Sequence, residues 1–184
     1  MNKHNKEGFS LLELLLVLGI VSALIISAFI IYPKVQTMYR VDKISKIILG
    51  AKSSIQELYQ GKAYYDTEFS KLRKIAFPAD TYTKSNGVPR NDYGGMYNIT
   101  GQFSISSGGY GYSGFSINVT SVPSADCQKI ISNVYTSFQA VYAGNTLVYQ
   151  ASKNFGNRQI GFDRSVIAEA CNKAERVTIQ FYTL

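Results

Sequence analysis

One histidine, His4, stands in the whole chain, and it lies in a basic stretch ahead of a long apolar run. A single imidazole so placed leaves no Ser-His-Asp or Cys-His arrangement for nucleophilic catalysis and no imidazole-based metal site. Cysteine is nearly as scarce, with only Cys127 and Cys171. Carboxylates number 12 in 184 residues and are scattered. Asp163 has no acidic neighbour on its loop, which argues against a calcium site there. The glycines at 108, 109 and 111 open no helix, and neither a phosphate-binding loop nor a dinucleotide fingerprint is present. No enzyme, cofactor or metal is expected.

Acidic charge is scarcest where it matters most. Residues 9–32 form an apolar run broken by one charge, Glu13. About 20 apolar residues suffice for a helix to cross a bilayer, and a carboxylate inside such a helix costs about 3 kcal/mol or more unless it finds a partner. An ordinary secretory signal has a shorter apolar core, about 7–15 residues, and a small-residue cleavage site. This run is longer and no such site closes it cleanly. A plain membrane anchor fits the length but leaves Glu13 unexplained. The basic start, Gly8-Phe9 and then Glu13 together suggest a cleaved leader and a glutamate placed to meet a positive charge.

The string KEGFSLLELLLVLGI, from Lys6 to Ile20, closely resembles the processing site of type IV prepilins. The resemblance implies that a prepilin peptidase cuts after Gly8 on the cytoplasmic side and methylates the new amino terminus at Phe9. It also implies that Glu13 pairs with the amino terminus of a neighbouring subunit during assembly. The leader would then be residues 1–8. Its loss removes Lys3, Lys6 and Glu7 and lowers the net charge from +7 to +6. His4 would go with it. A modest positive charge can favour anionic partners, but no basic block is dense enough to separate that from a solvated surface. Lys34 and Arg40 follow the span, so the positive-inside bias does not decide orientation by count. The short amino-terminal segment and the processing site place the leader in the cytoplasm and the bulk of the chain outside the inner membrane.

The expected fold class is α+β, with a long amino-terminal helix on an antiparallel sheet. Residues 9–60 read as one helix, apolar all round in its first half. Its second half is amphipathic, with Val41, Ile44, Ile48, Ala51, Ile55 and Leu58 at spacings of three and four. Pro33 predicts a kink, and Gly19 weakens the helix locally. In filaments of the resembled family the helix between such positions can extend, which carries over here to residues 19–33. The head, residues 61–184, begins with a stretch of no clear period and a short helix near 67–74. Strands are expected at 96–106 and 114–122 around the turn GGYGYS, then a helix at 124–141 capped by Ser124. A short strand at 145–151, a helix capped by Asp163 and a final strand at 176–182 complete the head.

The order GFSINVT, PSADC to Cys127, EAC to Cys171 and then VTIQF resembles the type IVb pilins, particularly the thin-pilus pilins of conjugative plasmids. The short leader and Phe9 start are more typical of type IVa pilins. An even pair of cysteines in an exported domain reads as a disulfide, with two buried thiols as the alternative. The resemblance makes residues 127–171 a disulfide-bounded, variable region.

The function expected is a structural pilin, the major subunit of a type IV pilus. It would wait in the lipid bilayer and then form a homo-oligomer, a helical filament. Its partners would be the peptidase, the inner-membrane assembly machinery and any minor pilins or tip adhesin. A minor pilin or type II secretion pseudopilin is the alternative. Tyrosines and lysines interleave at 62–84, a pattern that can hold single-stranded nucleic acid. Such loops equally serve packing between subunits, and direct DNA binding is not the expectation.

Overall fold

The structure, a computed structural model, describes residues 10–60, 69–83, 87–104, 112–151 and 159–183. The chain divides into two compact units between Tyr39 and Arg40. Helix α1, Leu11–Leu58, begins in the first unit and is continuous through Pro33. The apolar half has two hydroxyls that find partners on the helix itself. Ser22 Oγ donates to the Leu18 carbonyl at 2.7 Å and Ser27 Oγ to the Ala23 carbonyl at 2.8 Å. Each satisfies a polar group that hydrocarbon could not.

In the second unit, α1 turns a buried stripe of Val41, Ile44, Ile47, Ile48, Ala51 and Ile55 toward the core. The expected stripe therefore holds, with Ile47 added. Leu58 departs from it and is 43% exposed, while Tyr59 beside it packs against the core. Ser45 is buried among these side chains and returns its hydroxyl to the Val41 carbonyl. A short helix α2, Phe69–Ala76, and a 3-10 turn, Ala79–Thr81, lead to the sheet.

The sheet is built from β1, Tyr97–Ser104, β2, Tyr112–Pro123, β3, Ala140–Ala143, β4, Thr146–Gln150, and β5, Arg176–Thr183. Their spatial order is β1-β2-β5-β3-β4, antiparallel throughout. The last strand in sequence is thus the middle strand in space. Its alternation sends Val177, Ile179 and Phe181 inward, as period two requires. Ile179 pairs with Val119 on one side and Ala143 on the other, and Phe181 with Ile117 and Val141. These side chains and the α1 stripe form one core with Ile130, Ile131 and Val134 of helix α3, Ser124–Val134. Helix α4, Arg164–Asn172, begins at Asp163, whose carboxylate accepts from the Ser165 backbone N–H at 2.8 Å. That is the expected cap.

The helix expected over 124–141 is a correction. It stops at Val134, a 3-10 turn spans Tyr135–Ser137, and 140–143 is a strand. Phe138 and Val141 fit a helical face by spacing, yet both are buried by joining the sheet side of the core. Backbone bonds from Gln139 N–H to the Tyr182 carbonyl and from Gly144 N–H to the Thr178 carbonyl, both 2.8 Å, bracket β3 against β5. Ser124 is not a cap either. Pro123 occupies the cap position, makes no side-chain bond, and its fixed φ starts the helix instead.

Gly95 sits where the chain approaches β2 most closely. A Cβ there would lie 2.0 Å from the Thr120 carbonyl oxygen and 2.9 Å from Asn91 Nδ2. Asn91 holds this loop from inside, accepting from the backbone N–H groups of Tyr93 and Gly95 and donating to the Thr120 carbonyl. Gly95→Ala must push backbone away from backbone. It is expected to lower stability by about 1–3 kcal/mol, as overpacking does. Chemical denaturation of the full chain in detergent checks this. An unchanged midpoint would mean the loop yields freely.

Candidate functional site

The first unit holds the apolar half of α1 and Glu13. Every large apolar side chain from Leu11 to Tyr39 is at least 44% exposed, so nothing in the described residues covers this surface. Glu13 lies on the first turn of α1, near the positive end of the helix dipole, and makes no ion pair among the described residues. Gly19 and Pro33 lie further along the same helix. Gly8 and Phe9 lie outside the described residues. The helix is long and apolar enough to cross a membrane.

The second unit is held by groups that only the folded chain brings together. Arg40 stands over the Tyr93 ring, 6.0 Å from its centre. The Tyr93 hydroxyl donates to Asp126 Oδ2 at 2.9 Å, and Lys129 Nζ reaches Asp126 Oδ1 at 3.1 Å. Lys43 on α1 pairs with Asp92 at 2.9 Å. Arg176 donates to the carbonyls of Tyr93 and Ser121. Ser121 has φ 59°, the left-handed region, at the bulge where β2 shifts register against β5. A chain of contacts therefore joins α1, the 89–96 loop, β2, β5 and α3. Sequence spacing could not show it, because Tyr93 and Asp126 are far apart in the chain.

Burial, and then the hydrogen bond to Asp126, holds the Tyr93 hydroxyl well above the usual phenol range. Burial does the same to Tyr97. A phenol protonated longer in the folded chain contributes stability that is full below about pH 10, its unfolded value. That stability is lost as pH rises toward the folded value. Stability is therefore expected to decline above pH 10, less steeply in Tyr93→Phe. Urea midpoints from pH 9 to 11 check this; identical slopes would place the loss elsewhere.

Lys52 on α1 donates to the Ser137 carbonyl and lies 5.2 Å from the centre of the Phe138 ring. Burial lowers its affinity for a proton. Cys127 and Cys171 form a disulfide, with Cα atoms 5.9 Å apart, joining α3 to α4. The segment between them contains β3 and β4, with Ala140, Val141, Ala143 and Val148 buried. It thus supplies two strands of the sheet. Among the described residues no three His, Cys, Asp or Glu side chains gather to hold a metal ion. Of the tyrosine- and lysine-bearing stretch at 62–84, residues 62–68 and 84 lie outside the described residues. Tyr82 within it donates its hydroxyl to the Arg73 carbonyl.

A long apolar-to-amphipathic helix on an antiparallel sheet, with a carboxy-terminal disulfide, is the architecture of a type IV pilin. The fold is similar to that of TcpA, a type IV pilin from Vibrio cholerae El Tor biotype, with TM-score 0.55 and 12% identity, covering 79% of this chain and 99% of that one. It is also similar to the type IVb pilin from Salmonella typhi, with TM-score 0.52 and 14% identity, covering 74% of this chain and 95% of that one. Residues 3–29 match the prokaryotic N-terminal methylation motif. The chain belongs to the PilS N-terminal family, matched over residues 36–184. It matches no curated protein in sequence. Membership of this family makes the chain a type IV pilin and supports its role as a pilus subunit, with filament assembly and prepilin processing as the family's chemistry.

Proposed function

We propose that this protein is the major subunit of a type IV pilus of the IVb subclass. The observation that carries the reading is the uncovered apolar surface of α1 from Leu11 to Tyr39, interrupted by Glu13 alone. The bilayer covers that surface first, with the amino terminus cytoplasmic and the head outside the inner membrane. Cleavage after Gly8 and methylation leave a charged amine on Phe9. An incoming subunit's amine is drawn to Glu13 of a subunit already in the filament, and pairing offsets the burial of both charges. Apolar helix surface then packs against identical surface, while the ion pair sets axial register.

Gly19 and Pro33 bound the part of the helix that extends on assembly, with Pro33 as the kink. A filament density map with unbroken helix over 19–33 would refute that step. The whole function is tested by shearing the cell surface and measuring the intact mass of its most abundant protein. A chain beginning at methylated Phe9, two hydrogens light for the bridge and dominant in the sheared material, supports a major pilin. A processed chain confined to membranes assigns a minor pilin or secretion pseudopilin instead. An uncleaved chain overturns the processing step.

A further inference from the structure

Three guanidinium groups converge on two consecutive residues of the 89–96 loop, Tyr93 and Gly94. Arg40 of α1 stands over the Tyr93 ring, 6.0 Å from its centre. Arg90 donates to the Gly94 carbonyl at 3.1 Å, and Arg176 of β5 to the Tyr93 carbonyl at 3.0 Å. All three lie in the second unit. The tip they surround is open, with Arg40, Gly94 and Arg176 exposed and Arg90 half-buried. Met96, at the end of the same loop, is 42% exposed.

The cluster lacks the counter-charge that its chemistry calls for. None of the three arginines makes an ion pair among the described residues. The carboxylates of the same group of contacts are engaged elsewhere, Asp92 with Lys43, and Asp126 with Lys129 and the Tyr93 hydroxyl. Gathering like charges is unfavourable, so the fold sustains an arrangement that an external anion would relieve. A guanidinium has five N–H donors. The loop carbonyls occupy only some of these and hold the groups in place, so less side-chain freedom is lost when an anion arrives.

Several planar forks side by side suit an array of phosphates rather than one small anion. Single-stranded nucleic acid would also need open aromatic faces to stack on, but the Tyr93 ring is packed against the core and has Arg40 over it. An apolar side chain standing open beside arginines, as Met96 does, fits instead the level of a bilayer where phosphate gives way to acyl chain. The chain itself ties the cluster to such a surface, since the exposed apolar run of α1 ends at Tyr39 and Arg40 is the next residue. We infer that Arg40, Arg90 and Arg176 bind the phosphates of anionic phospholipid, of the phosphatidylglycerol type, at the surface of the bilayer that takes up α1. The inference rests on the reading that α1 spans a bilayer. Bound so, the head is held by contacts that weaken with salt and that must break when the subunit leaves for a filament.

The test uses the full-length protein in nanodiscs of phosphatidylcholine, alone or mixed with phosphatidylglycerol. The chain has no tryptophan, so Met96→Trp places a sole indole at the site. Its emission is expected to shift to the blue in the mixed discs. Phosphatidylglycerol brominated near the top of its acyl chains should quench it at least about fivefold more than equally brominated phosphatidylcholine, the contribution of one base near an anionic surface. Adding Arg40→Gln and Arg90→Gln should remove that preference. Arg164→Gln with Lys173→Gln, the same loss of charge at the two ends of α4, should keep it. Arg40 meets the loop only through the Tyr93 ring among the described residues, so Arg40→Gln alone stays informative even if Arg90→Gln disturbs the turn. Equal quenching by the two lipids, or an undiminished preference without Arg40 and Arg90, overturns the inference. So does an equal loss in the α4 variant, which would reduce the effect to general attraction of a basic protein. Arginine-dependent pairing of two copies in discs without phosphatidylglycerol would also overturn it, assigning the cluster to a second copy. Co-elution with the phosphatidylcholine discs reads the spanning of α1 by itself. Failure there overturns the spanning reading and this inference with it, whereas co-elution without the lipid preference overturns this inference alone.

Discussion

Replacing Glu13 with alanine is expected to abolish filaments while leaving cleavage after Gly8 intact. The two effects separate because they depend on different partners. In the proposed mechanism the peptidase meets Gly8 and Phe9, whereas Glu13 is needed only when a second subunit arrives. The variant should also sit in the bilayer at least as well as the wild type. A carboxylate near one end of an apolar segment still opposes its burial in hydrocarbon, and its removal favours insertion. Missing filaments could therefore not be blamed on failed insertion. Glu13→Gln sharpens the result, because it keeps length and hydrogen bonding but loses charge. If the ion pair sets register, both variants are cleaved and neither assembles. Immunoblots of membranes for the processed chain and electron micrographs of sheared material are the two readings. Normal piliation in Glu13→Ala would falsify the pairing mechanism.

The second large effect is expected at the bridge between α3 and α4. Cys127 and Cys171 are separated by 44 positions in sequence and are 0% and 1% exposed. A covalent loop of that length stabilises by about 4 kcal/mol in the chain-entropy model. Domains of this size have only about 5–15 kcal/mol in total, so the loss removes a large share. Alanine at both positions is the informative replacement, since serine would add buried hydroxyls costing about 1–3 kcal/mol each. Wild type with reductant and the double alanine variant should unfold at similar, lowered midpoints, and reductant should not affect the variant further. Wild type unmoved by complete reduction would show that the β3–β5 pairing already holds the loop closed. Because β3 and β4 lie within the bridged segment, loss of the bond should loosen that edge of the sheet first. Faster hydrogen exchange at Val141 and Val148 than at Ile117 would report it.

Much of this protein could be read from local pattern. The apolar run marked a helix long and apolar enough to cross a membrane, because the hydropathy of 20 consecutive residues does not depend on what they pack against. The α1 stripe, the β1–β2 hairpin, the cap at Asp163 and the alternation of β5 were legible for the same reason. Each is a period or a cap set by residues within a few positions of one another. The resemblance carried the family; composition alone could not have done so.

The failure at 135–143 shows where local pattern stops. Phe138 and Val141 satisfy a helical spacing, yet Val141 lies in a strand that begins at Ala140, just after the 3-10 turn. The choice was made by β5, which offers Phe181 opposite Val141 and Ile179 opposite Ala143. Those partners are nearly 40 residues away, and no window of sequence contains both. The same holds for the central position of β5 and for the Tyr93–Asp126–Lys129 contacts. Sequence by itself determined which segments are helix-like, strand-like or membrane-like, since periodicity and hydropathy are local quantities. Only the tertiary structure decided strand order, the identity of β3 and the Tyr93–Asp126–Lys129 contacts, since backbone pairing and side-chain convergence depend on residues that meet after the chain has closed its long loops.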